Sequence, residues 1–203
     1  GVFHKEMPGA KATVVTSIAM FYDLERPMDF VGDIETVLAD DGVWHFEQSY
    51  MPSMLRTNSY DTICHEHLEF YSFTVVKGML EKGGMRVLDV QMNAINGGSF
   101  AVTACKTASR LKSNTPIIEW LLRQEDSMGL DTPKPYREFE ERVFQHRKDL
   151  RALIDALVAD GKKILGYGAS TKGNVLLQFC GLTPKHIPCI AEVNEDKFGA
   201  FTP

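Results

Sequence analysis

Residues 12–19 (ATVVTSIA) constrain the fold of this chain more than any other stretch. The run is rich in β-branched and apolar residues, which is typical of a parallel strand buried on both faces. An apolar stripe at helical spacing follows Pro27 over residues 28–38 and predicts a helix that ends in a turn at residues 40–42. Residues 43–47 are the next predicted strand. A strand, a helix and a strand in succession predict an α/β fold.

An antiparallel hairpin is predicted to close this part of the sheet. Asn96, Gly97 and Gly98 supply its turn, because asparagine and glycine tolerate positive φ. The two strands of the hairpin are predicted at residues 86–91 and 99–105. A helix is predicted just before them, at residues 74–82.

Helices open the second half of the chain. Periodic apolar residues predict helices at residues 117–127 and 136–159, and the longer one carries charges of both signs on its outer side. A glycine turn at residues 166–168 then separates a strand from a helix, as in the start of a second α/β unit. Trp44 and Trp120 are both expected in the core.

Charge and cysteine usage limit the partners of this chain. The formal net charge is −5 and no dense run of lysine and arginine occurs, which argues against nucleic acid as a partner. The four cysteines are scattered without a C-x-x-C pair, so neither a disulfide framework nor a zinc knuckle is expected. No apolar run approaches the roughly 20 residues that span a bilayer. We expect a cytoplasmic protein with reduced thiols that binds small molecules and has no membrane partner.

Residues 60–72 (YDTICHEHLEFYS), here called the histidine segment, carry the densest group of proton-handling side chains in the chain. Imidazole titrates near neutral pH, and an adjacent carboxylate orients it or raises its basicity. His65, Glu66 and His67 are therefore the first candidates for general acid or base chemistry. A histidine beside an acid is also common as a hydrogen-bonded structural residue, and that alternative stays open. Cys64, His65 and His67 have a spacing compatible with a metal, but a structural site takes four ligands, so no metal is expected.

The loop that contains residues 166–168 is a second candidate site. Ser170, Thr171 and Lys172 follow Gly168 at the predicted start of a helix, where backbone amides and a cation suit a phosphate. A tight strand-to-helix turn would account for the glycines without any ligand, because G-x-G alone is a weak signal.

Four phrases of the sequence point to a known family. They are SIAMFYDLERPMDFVGDIETVLADDGVWHFEQSYMPSML, YDTICHEHLEFYS, NAINGGSFAVTA and GYGASTKGNVLLQFCGL. In this order and with these separations they resemble the sugar C-methyltransferase family, which uses S-adenosylmethionine to methylate nucleotide-linked keto-deoxysugars. The resemblance covers nearly the whole chain.

This resemblance implies a specific α/β architecture. Residues 1–108 would be the C-terminal portion of an S-adenosylmethionine-dependent methyltransferase domain, the second half of a class I, Rossmann-like sheet with a terminal antiparallel hairpin. Residues 109–160 would be a helical linker, and residues 161–203 the start of a C-terminal Rossmann-like α/β domain. Family members also have an N-terminal zinc module and a glycine-rich cofactor loop, which this sequence does not show. We therefore expect an internal fragment that binds the cofactor weakly or not at all, with zinc only in the absent module.

The resemblance also implies catalytic roles. Loss of a proton beside a keto group gives an enolate that attacks the methyl group of the cofactor, so a base and an oxyanion stabiliser are needed. His67 would be the base, with Glu66 either orienting it or taking the proton itself. His65 and Tyr71 would be secondary catalytic candidates. Cys64 and His65 depart from the family, since its antibiotic-sugar members carry Tyr-Asp at this place.

Binding residues are implied in three places. The carboxyl end of the first strand, where ligands of open α/β sheets bind, would hold the cofactor, with Phe21 as a core residue. The hairpin turn and the start of the histidine segment would contact the substrate, and the loop after residue 166 its nucleotide diphosphate. The cofactor candidates are Ser17, Ile18, Met20 and Tyr22, and the substrate candidates are Tyr60, Asn96, Gly97, Gly98, Gly168, Ser170, Thr171 and Lys172.

Two alternatives from other classes stay open. A nucleotide-dependent oxidoreductase built on the turn at residues 166–168 would need an acidic ribose contact about 20 residues further on. Glu192 and Asn194 lie near that distance. A non-catalytic protein would instead use residues 117–159 as a packing or oligomerisation module.

Overall fold

The computed structural model describes Met7 and residues 9–202, which form two compact units. The first unit consists of the chain up to Thr57 and of Glu66–Pro135, and the second of Asn58–His65 and the chain from Tyr136. The histidine segment is therefore divided between the two units, and the division falls after His65. The domain limits at residues 108 and 160 remain predictions.

A four-stranded sheet with helices packed on it forms the first unit. In chain order its elements are β1 (Ala12–Ile18), α1 (Pro27–Val37), β2 (Leu38–Ser49), α2 (Met51–Thr57), α3 (Phe73–Lys82), β3 (Met85–Asn93), β4 (Ser99–Lys106) and α4 (Thr115–Ser127). The strand order is β1-β2-β4-β3, with β1 and β2 parallel and the other neighbouring pairs antiparallel. The mixed α/β class and the terminal hairpin are thus confirmed.

Local chemistry accounts for where the helices and the hairpin turn lie. α1 begins at Pro27, whose fixed φ and missing N–H suit the first helical turn. α3 begins after Ser72, whose hydroxyl accepts a hydrogen bond from the Val75 N–H at 3.3 Å. In the hairpin, Asn96 and Gly98 have φ values of 53° and 128°, so the turn predicted there is confirmed.

An aromatic cluster forms the core beside β1 and β2. The Trp44 and Phe46 rings stack with centroids 4.1 Å apart, and the Phe21 ring lies 5.5 Å from that of Phe46. Tyr71 lies 5.4 Å from Phe21, and Phe30 lies 5.8 Å from Trp44. Such offset and tilted pairs stabilise a core beyond the area they bury. Phe21 and Trp44 are core residues, as expected.

Two expectations about the sheet are wrong. β1 is parallel to β2, as predicted, but of its described residues only Ser17 is buried, and Ile18 is 55% exposed. The turn expected at residues 40–42 is instead part of β2. Gly42 suits this strand because a Cβ there would lie 2.7 Å from the Ala12 carbonyl oxygen, at the point where the pairing with β1 changes register.

The helices of the first unit differ from expectation in two respects. α2 occupies the chain just before the histidine segment, where no helix is predicted from the sequence. Trp120 lies on α4 and is 46% exposed, so the expectation that it is a core residue is wrong. The predicted helices at residues 74–82 and 117–127 are confirmed to within two residues at each end.

A long helix is the main element of the second unit. Its elements are a 3₁₀ turn (Tyr60–Thr62), α5 (Lys134–Ala159), β5 (Gly166–Tyr167), α6 (Thr171–Phe179) and β6 (Ile190–Ala191). β5 and β6 are parallel, and Gly166 suits this pairing because a Cβ there would lie 2.8 Å from the Ile190 side chain. The strand predicted before the glycine turn is therefore short and includes Gly166 itself. Among the described residues, no helix is long and apolar enough to cross a lipid bilayer.

Candidate active site after the first strand

The turn that follows β1 holds the second half of the histidine segment. β1 ends at Ile18, the next residue, Ala19, has a φ of 52°, and the chain then makes a 3₁₀ turn at Phe21–Asp23. The carbonyl oxygen of Tyr22 accepts hydrogen bonds from the N–H groups of Leu68 and Glu69, both at 3.1 Å. These two bonds fix the backbone beside His67 against the carboxyl end of β1, where ligands of open α/β sheets bind.

Aromatic contacts orient the His67 ring. Its centroid lies 4.6 Å from that of Tyr22, at an interplanar angle of 62°, and 6.4 Å from that of Phe70. Tyr22 is 8% exposed, whereas His67 is half-buried and Glu66 is exposed. The imidazole is therefore supported on one side by a buried ring while the neighbouring carboxylate faces solvent, an arrangement that suits proton transfer.

Asp23 joins Glu66 and His67 in this place. Burial raises the pKa of Asp23 above its usual value, His67 opposes the rise, and Glu66 adds to it. We call Asp23, Glu66 and His67 the acid–histidine cluster. Asp23 stands 43 residues before Glu66, so no local spacing in the sequence points to it. Two carboxylates beside one imidazole can orient the ring and share a proton with it.

Tyr71 lies at the end of the same segment and is 5% exposed. Its carbonyl oxygen accepts a hydrogen bond from the Met51 N–H at 3.0 Å, while its hydroxyl has no hydrogen-bond partner among the described residues. Burial, and then the charge of Glu69, raise the pKa of Tyr71 to about 12. The hydroxyl is therefore neutral at physiological pH and able to donate or accept a hydrogen bond.

A buried carboxylate on α4 anchors the residues that follow Tyr71. Glu125 is 2% exposed and accepts hydrogen bonds from the Phe73 N–H at 2.6 Å, the Thr74 N–H at 2.7 Å and the Thr74 hydroxyl at 2.6 Å. Burial, and next the charge of Glu125, also raise the pKa of Tyr50. The sequence carries a signal for this residue, since Glu125 falls on the helical stripe of Ile118 and Leu121, where an apolar residue is expected.

The four cofactor candidates lie together at the end of β1, but in different environments. The Ser17 hydroxyl accepts a hydrogen bond from the Trp44 indole N–H at 3.0 Å, and both residues are buried. Met20 packs against the core, and Tyr22 supports His67. Ile18 is exposed. Their contact with a cofactor remains a prediction, and the structure gives Ser17 and Tyr22 structural partners as well.

Tyr60, at the other end of the histidine segment, belongs to the second unit and is 4% exposed. Its hydroxyl lies 2.9 Å from His146 Nδ1 and 3.7 Å from Cys180 Sγ, and its ring lies 5.2 Å from that of Phe179. Burial raises its pKa. Cys64 and His65 belong to this unit too, whereas Glu66 and His67 belong to the first unit, and the catalytic role of His65 remains a prediction.

The hairpin turn has a clear packing role. The Gly98 carbonyl oxygen accepts a hydrogen bond from the Tyr50 N–H at 3.0 Å, and a Cβ on Gly98 would lie 2.5 Å from the Ser53 Cβ. Ser53 is on α2, so the turn packs closely against that helix. This contact accounts for Gly98 without a ligand, and a substrate role for Asn96, Gly97 and Gly98 remains a prediction.

The glycine loop of the second unit is closed by its own side chains. Ser170 caps α6 by accepting a hydrogen bond from the Gly173 N–H at 3.1 Å, and Gly168 has a φ of 89°. Glu192 accepts a hydrogen bond from the Ala169 N–H at 2.7 Å, and this bond, with those from the Asn194 and Val193 N–H groups, lowers its pKa. The carboxylate that an oxidoreductase would use for a ribose is thus already engaged by backbone amides.

A cavity of about 590 Å³ adjoins this loop and is lined in part by Leu177, Ile190 and Lys197. Gly168, Ser170, Thr171 and Lys172 remain predicted contacts of a diphosphate. Among the described residues, no three histidine, cysteine, aspartate or glutamate side chains are grouped so as to hold a metal ion.

Comparison with known proteins identifies relatives of this chain. Residues 94–203, more than half of the chain, match the family described as the C-methyltransferase C-terminal domain. The chain is also 35% identical over 175 residues to the C-methyltransferase NovU of Streptomyces niveus. That alignment covers 86% of this chain and 41% of NovU, so the chain spans less than half the length of this relative.

Solved structures that are similar to part of this chain have low sequence identity to it. LepI, solved in complex with SAM, is 9% identical, with a TM-score of 0.42 over 50% of this chain and 28% of LepI. Magnesium protoporphyrin IX methyltransferase (ChlM) from Synechocystis PCC 6803, solved with bound SAH, is 10% identical. Its TM-score is 0.38 over 50% of this chain and 48% of ChlM.

Proposed function

This chain belongs to the C-methyltransferase family, and from that premise we propose that it performs the proton-transfer part of an S-adenosylmethionine-dependent methylation of carbon. We propose further that the acceptor is a nucleotide-linked keto-deoxysugar in the cytoplasm. The support for this acceptor is the order of the four family-like phrases in the sequence. The observation that carries the proposal is the docking of His67 against Tyr22 and beside Asp23, at the carboxyl end of β1.

The reaction needs a base beside the acceptor's keto group. His67 takes the proton from the carbon next to the carbonyl, and the electron pair of the broken C–H bond passes into an enolate. S-adenosylmethionine, when bound, supplies an electrophilic methyl group to the enolate carbon and leaves as the neutral thioether. Glu66 and Asp23 hold the imidazole in position and stabilise the positive charge that it gains.

The acid–histidine cluster also fits the charge of the cofactor. The sulfonium group is a cation, and the carboxylates of Asp23 and Glu66 supply negative charge at the edge of the sheet where the cofactor candidates lie. Ser17, Ile18, Met20 and Tyr22 would contact the cofactor from the end of β1. The Tyr71 hydroxyl, kept neutral by burial, is suited to donate a hydrogen bond to the developing enolate oxygen.

The second unit would hold the nucleotide part of the acceptor. We propose that Ser170, Thr171 and Lys172 contact its diphosphate at the start of α6, with Lys172 as the cation. The Glu192 carboxylate at the Ala169 N–H sets a limit on this contact, since a phosphate there would meet a negative charge. The diphosphate would therefore bind on the helix side of Ser170.

Methyl transfer by histidine variants tests the proposal. The full-length protein is assayed with labelled S-adenosylmethionine and a panel of nucleotide keto-sugars. We expect His67→Ala to lower kcat by about 10² to 10⁴-fold, which is the usual contribution of a positioned base. His65→Ala is the comparison within the same segment, and it should lose less activity because His65 is only a secondary catalytic candidate.

Each outcome separates one part of the proposal. Unchanged turnover in His67→Ala would remove His67 from the role of base, and an equal loss in both variants would mean that the segment acts as a whole. Transfer by the wild type to oxygen or nitrogen acceptors, with none to carbon, would contradict the proposed reaction.

A further inference from the structure

Gln48 is a buried amide without a hydrogen-bond partner. It is the second-last residue of β2 and is 1% exposed, and neither its Nε2 nor its Oε1 has a partner among the described residues. Native proteins rarely leave such a group unpaired, because a buried amide without a partner lowers stability. A polar residue in this state is therefore a sign of a ligand or of an ordered water.

The position of Gln48 links it to the candidate active site. It lies on the same face of β2 as Trp44 and Phe46, since side chains alternate along a strand. Its partner across the β2–β4 pairing is Phe100, which is fully buried. On the β1 side the preceding residue, Glu47, pairs with Ile18 at the end of β1, and its carbonyl oxygen accepts a hydrogen bond from the Ala19 N–H at 2.9 Å. The amide thus lies in the last buried row before the carboxyl edge of the two parallel strands.

A second polar group of the same kind borders the same core. The Tyr71 hydroxyl is also buried and without a partner among the residues described, and its ring packs on Phe21, which packs on Phe46. Phe46 immediately precedes Gln48 on that face of β2. Both groups are uncharged, and each can donate and accept a hydrogen bond.

We propose that Gln48 is a ligand-recognition residue, whose amide binds a hydroxyl group of the ligand at the carboxyl edge of β1 and β2. This inference rests on the proposed function. A hydroxyl both donates and accepts, so it can pair with the oxygen and the nitrogen of the amide, whereas a charged group would lose its water there without a counter-ion. The ribose of the cofactor and the sugar of the acceptor both carry such hydroxyls.

Replacement of the amide by a side chain of similar shape tests the assignment. In the full-length protein, Gln48→Met removes both polar atoms and keeps most of the volume. We expect the thermal midpoint without ligand to rise, since an unpaired amide is lost. We also expect one ligand to bind about tenfold more weakly, as for the loss of one or two hydrogen bonds.

The affected ligand identifies the source of the hydroxyl. A higher Kd for S-adenosylhomocysteine, measured by calorimetry, would indicate that the hydroxyl belongs to the ribose of the cofactor. A higher KM for the nucleotide keto-sugar would indicate that it belongs to the acceptor. Gln91→Met is the control, because Gln91 is an exposed glutamine on β3 and should change neither quantity.

Three results would overturn the inference. A higher midpoint in Gln48→Met with both affinities unchanged would mean that Gln48 holds only water. A lower midpoint would mean that its amide has a partner in the ligand-free protein. Absence of cofactor binding and of methyl transfer in the wild type would remove the proposed function, and with it this assignment, whatever the variant does.

Discussion

The two ends of the histidine segment carry the same residue in opposite situations. Tyr60 and Tyr71 are 4% and 5% exposed, and burial is the main cause of a raised pKa in both. The Tyr60 hydroxyl is bonded to His146, whereas the Tyr71 hydroxyl has no partner among the described residues. Equal burial therefore does not mean an equal role: Tyr60 is an anchor within the second unit, and Tyr71 has a hydrogen bond still to make.

The anchors behind the two tyrosines also differ. The Tyr60 hydroxyl is held by side chains without a carboxylate, namely His146, an exposed residue of α5, and the Cys180 thiol. The chain after Tyr71 is held by the buried Glu125 carboxylate, which accepts three hydrogen bonds from Phe73 and Thr74. Charge-assisted bonds are shorter and stronger than neutral ones, so the end that adjoins Glu66 and His67 is the more firmly fixed.

The largest effect should come from the anchor of the Tyr71 end. Glu125→Ala leaves two backbone N–H groups and a hydroxyl without their acceptor, and we expect it to lower the free energy of unfolding by about 3 kcal/mol. Urea denaturation of this chain measures the loss, and hydrogen exchange should become faster at the Thr74 amide. Glu125→Gln keeps an acceptor oxygen and should lose less. If Glu125→Ala lowers the free energy of unfolding no more than Tyr60→Phe does, the two ends of the segment are held equally firmly and the comparison is wrong.

A smaller effect is expected at the Tyr60 end. Tyr60→Phe removes the hydroxyl that contacts His146 and Cys180, and it should lower the free energy of unfolding by about 1 kcal/mol. Tyr71→Phe is the matched variant and should cause no loss in the ligand-free protein, because no described residue hydrogen-bonds to its hydroxyl. Parallel urea titrations decide the point, and equal losses in the two variants would show that both tyrosines are anchors.

The smallest effect should come from an exposed ion pair that involves neither tyrosine, which sets the baseline. Hydrogen bonds from the Arg110 backbone and side chain, and from Ser109, lower the pKa of Asp41 from 3.8 to about 2. A depressed carboxyl pKa contributes stability that is present above the unfolded pKa and is lost as the pH falls through the folded one. Arg110→Ala should therefore be slightly less stable than wild type at pH 7, and the difference should disappear near pH 2. A difference that persists at that pH would point to packing instead of charge.

Sequence patterns predict most elements of the first unit, and their failures have physical causes. The Asn96-Gly97-Gly98 turn and the proline at the start of α1 are local signals, so they could be read directly. The burial of β1 could not be predicted in this way, because β-branched residues indicate a strand without showing which of its faces will be covered. The glycine at position 42 reads as a turn, although it serves a close approach to Ala12 inside β2.

The candidate site could be predicted only where its residues interrupt a regular pattern. Glu125 stands on an apolar helical stripe, and Gln48 continues the alternation of Trp44 and Phe46 in β2, so both are visible as polar residues at core positions. The contact of His67 with Tyr22 leaves no such mark, since it joins residues far apart in sequence through a backbone turn. The role of the histidines needs tertiary structure for that reason.

The hydrogen bond between Trp44 and Ser17 gives the protein an optical reporter. Only two tryptophans occur in the chain, and they differ sharply in access to solvent, since Trp44 is fully buried and Trp120 is 46% exposed. A water-soluble quencher will quench the fluorescence of Trp120 at lower concentration than that of Trp44. The Trp44 indole N–H is hydrogen-bonded to Ser17 near the end of β1. The emission maximum of the remaining fluorescence will therefore shift when that edge is disturbed. Structural changes at the candidate site can thus be followed by intrinsic tryptophan fluorescence, without an added label.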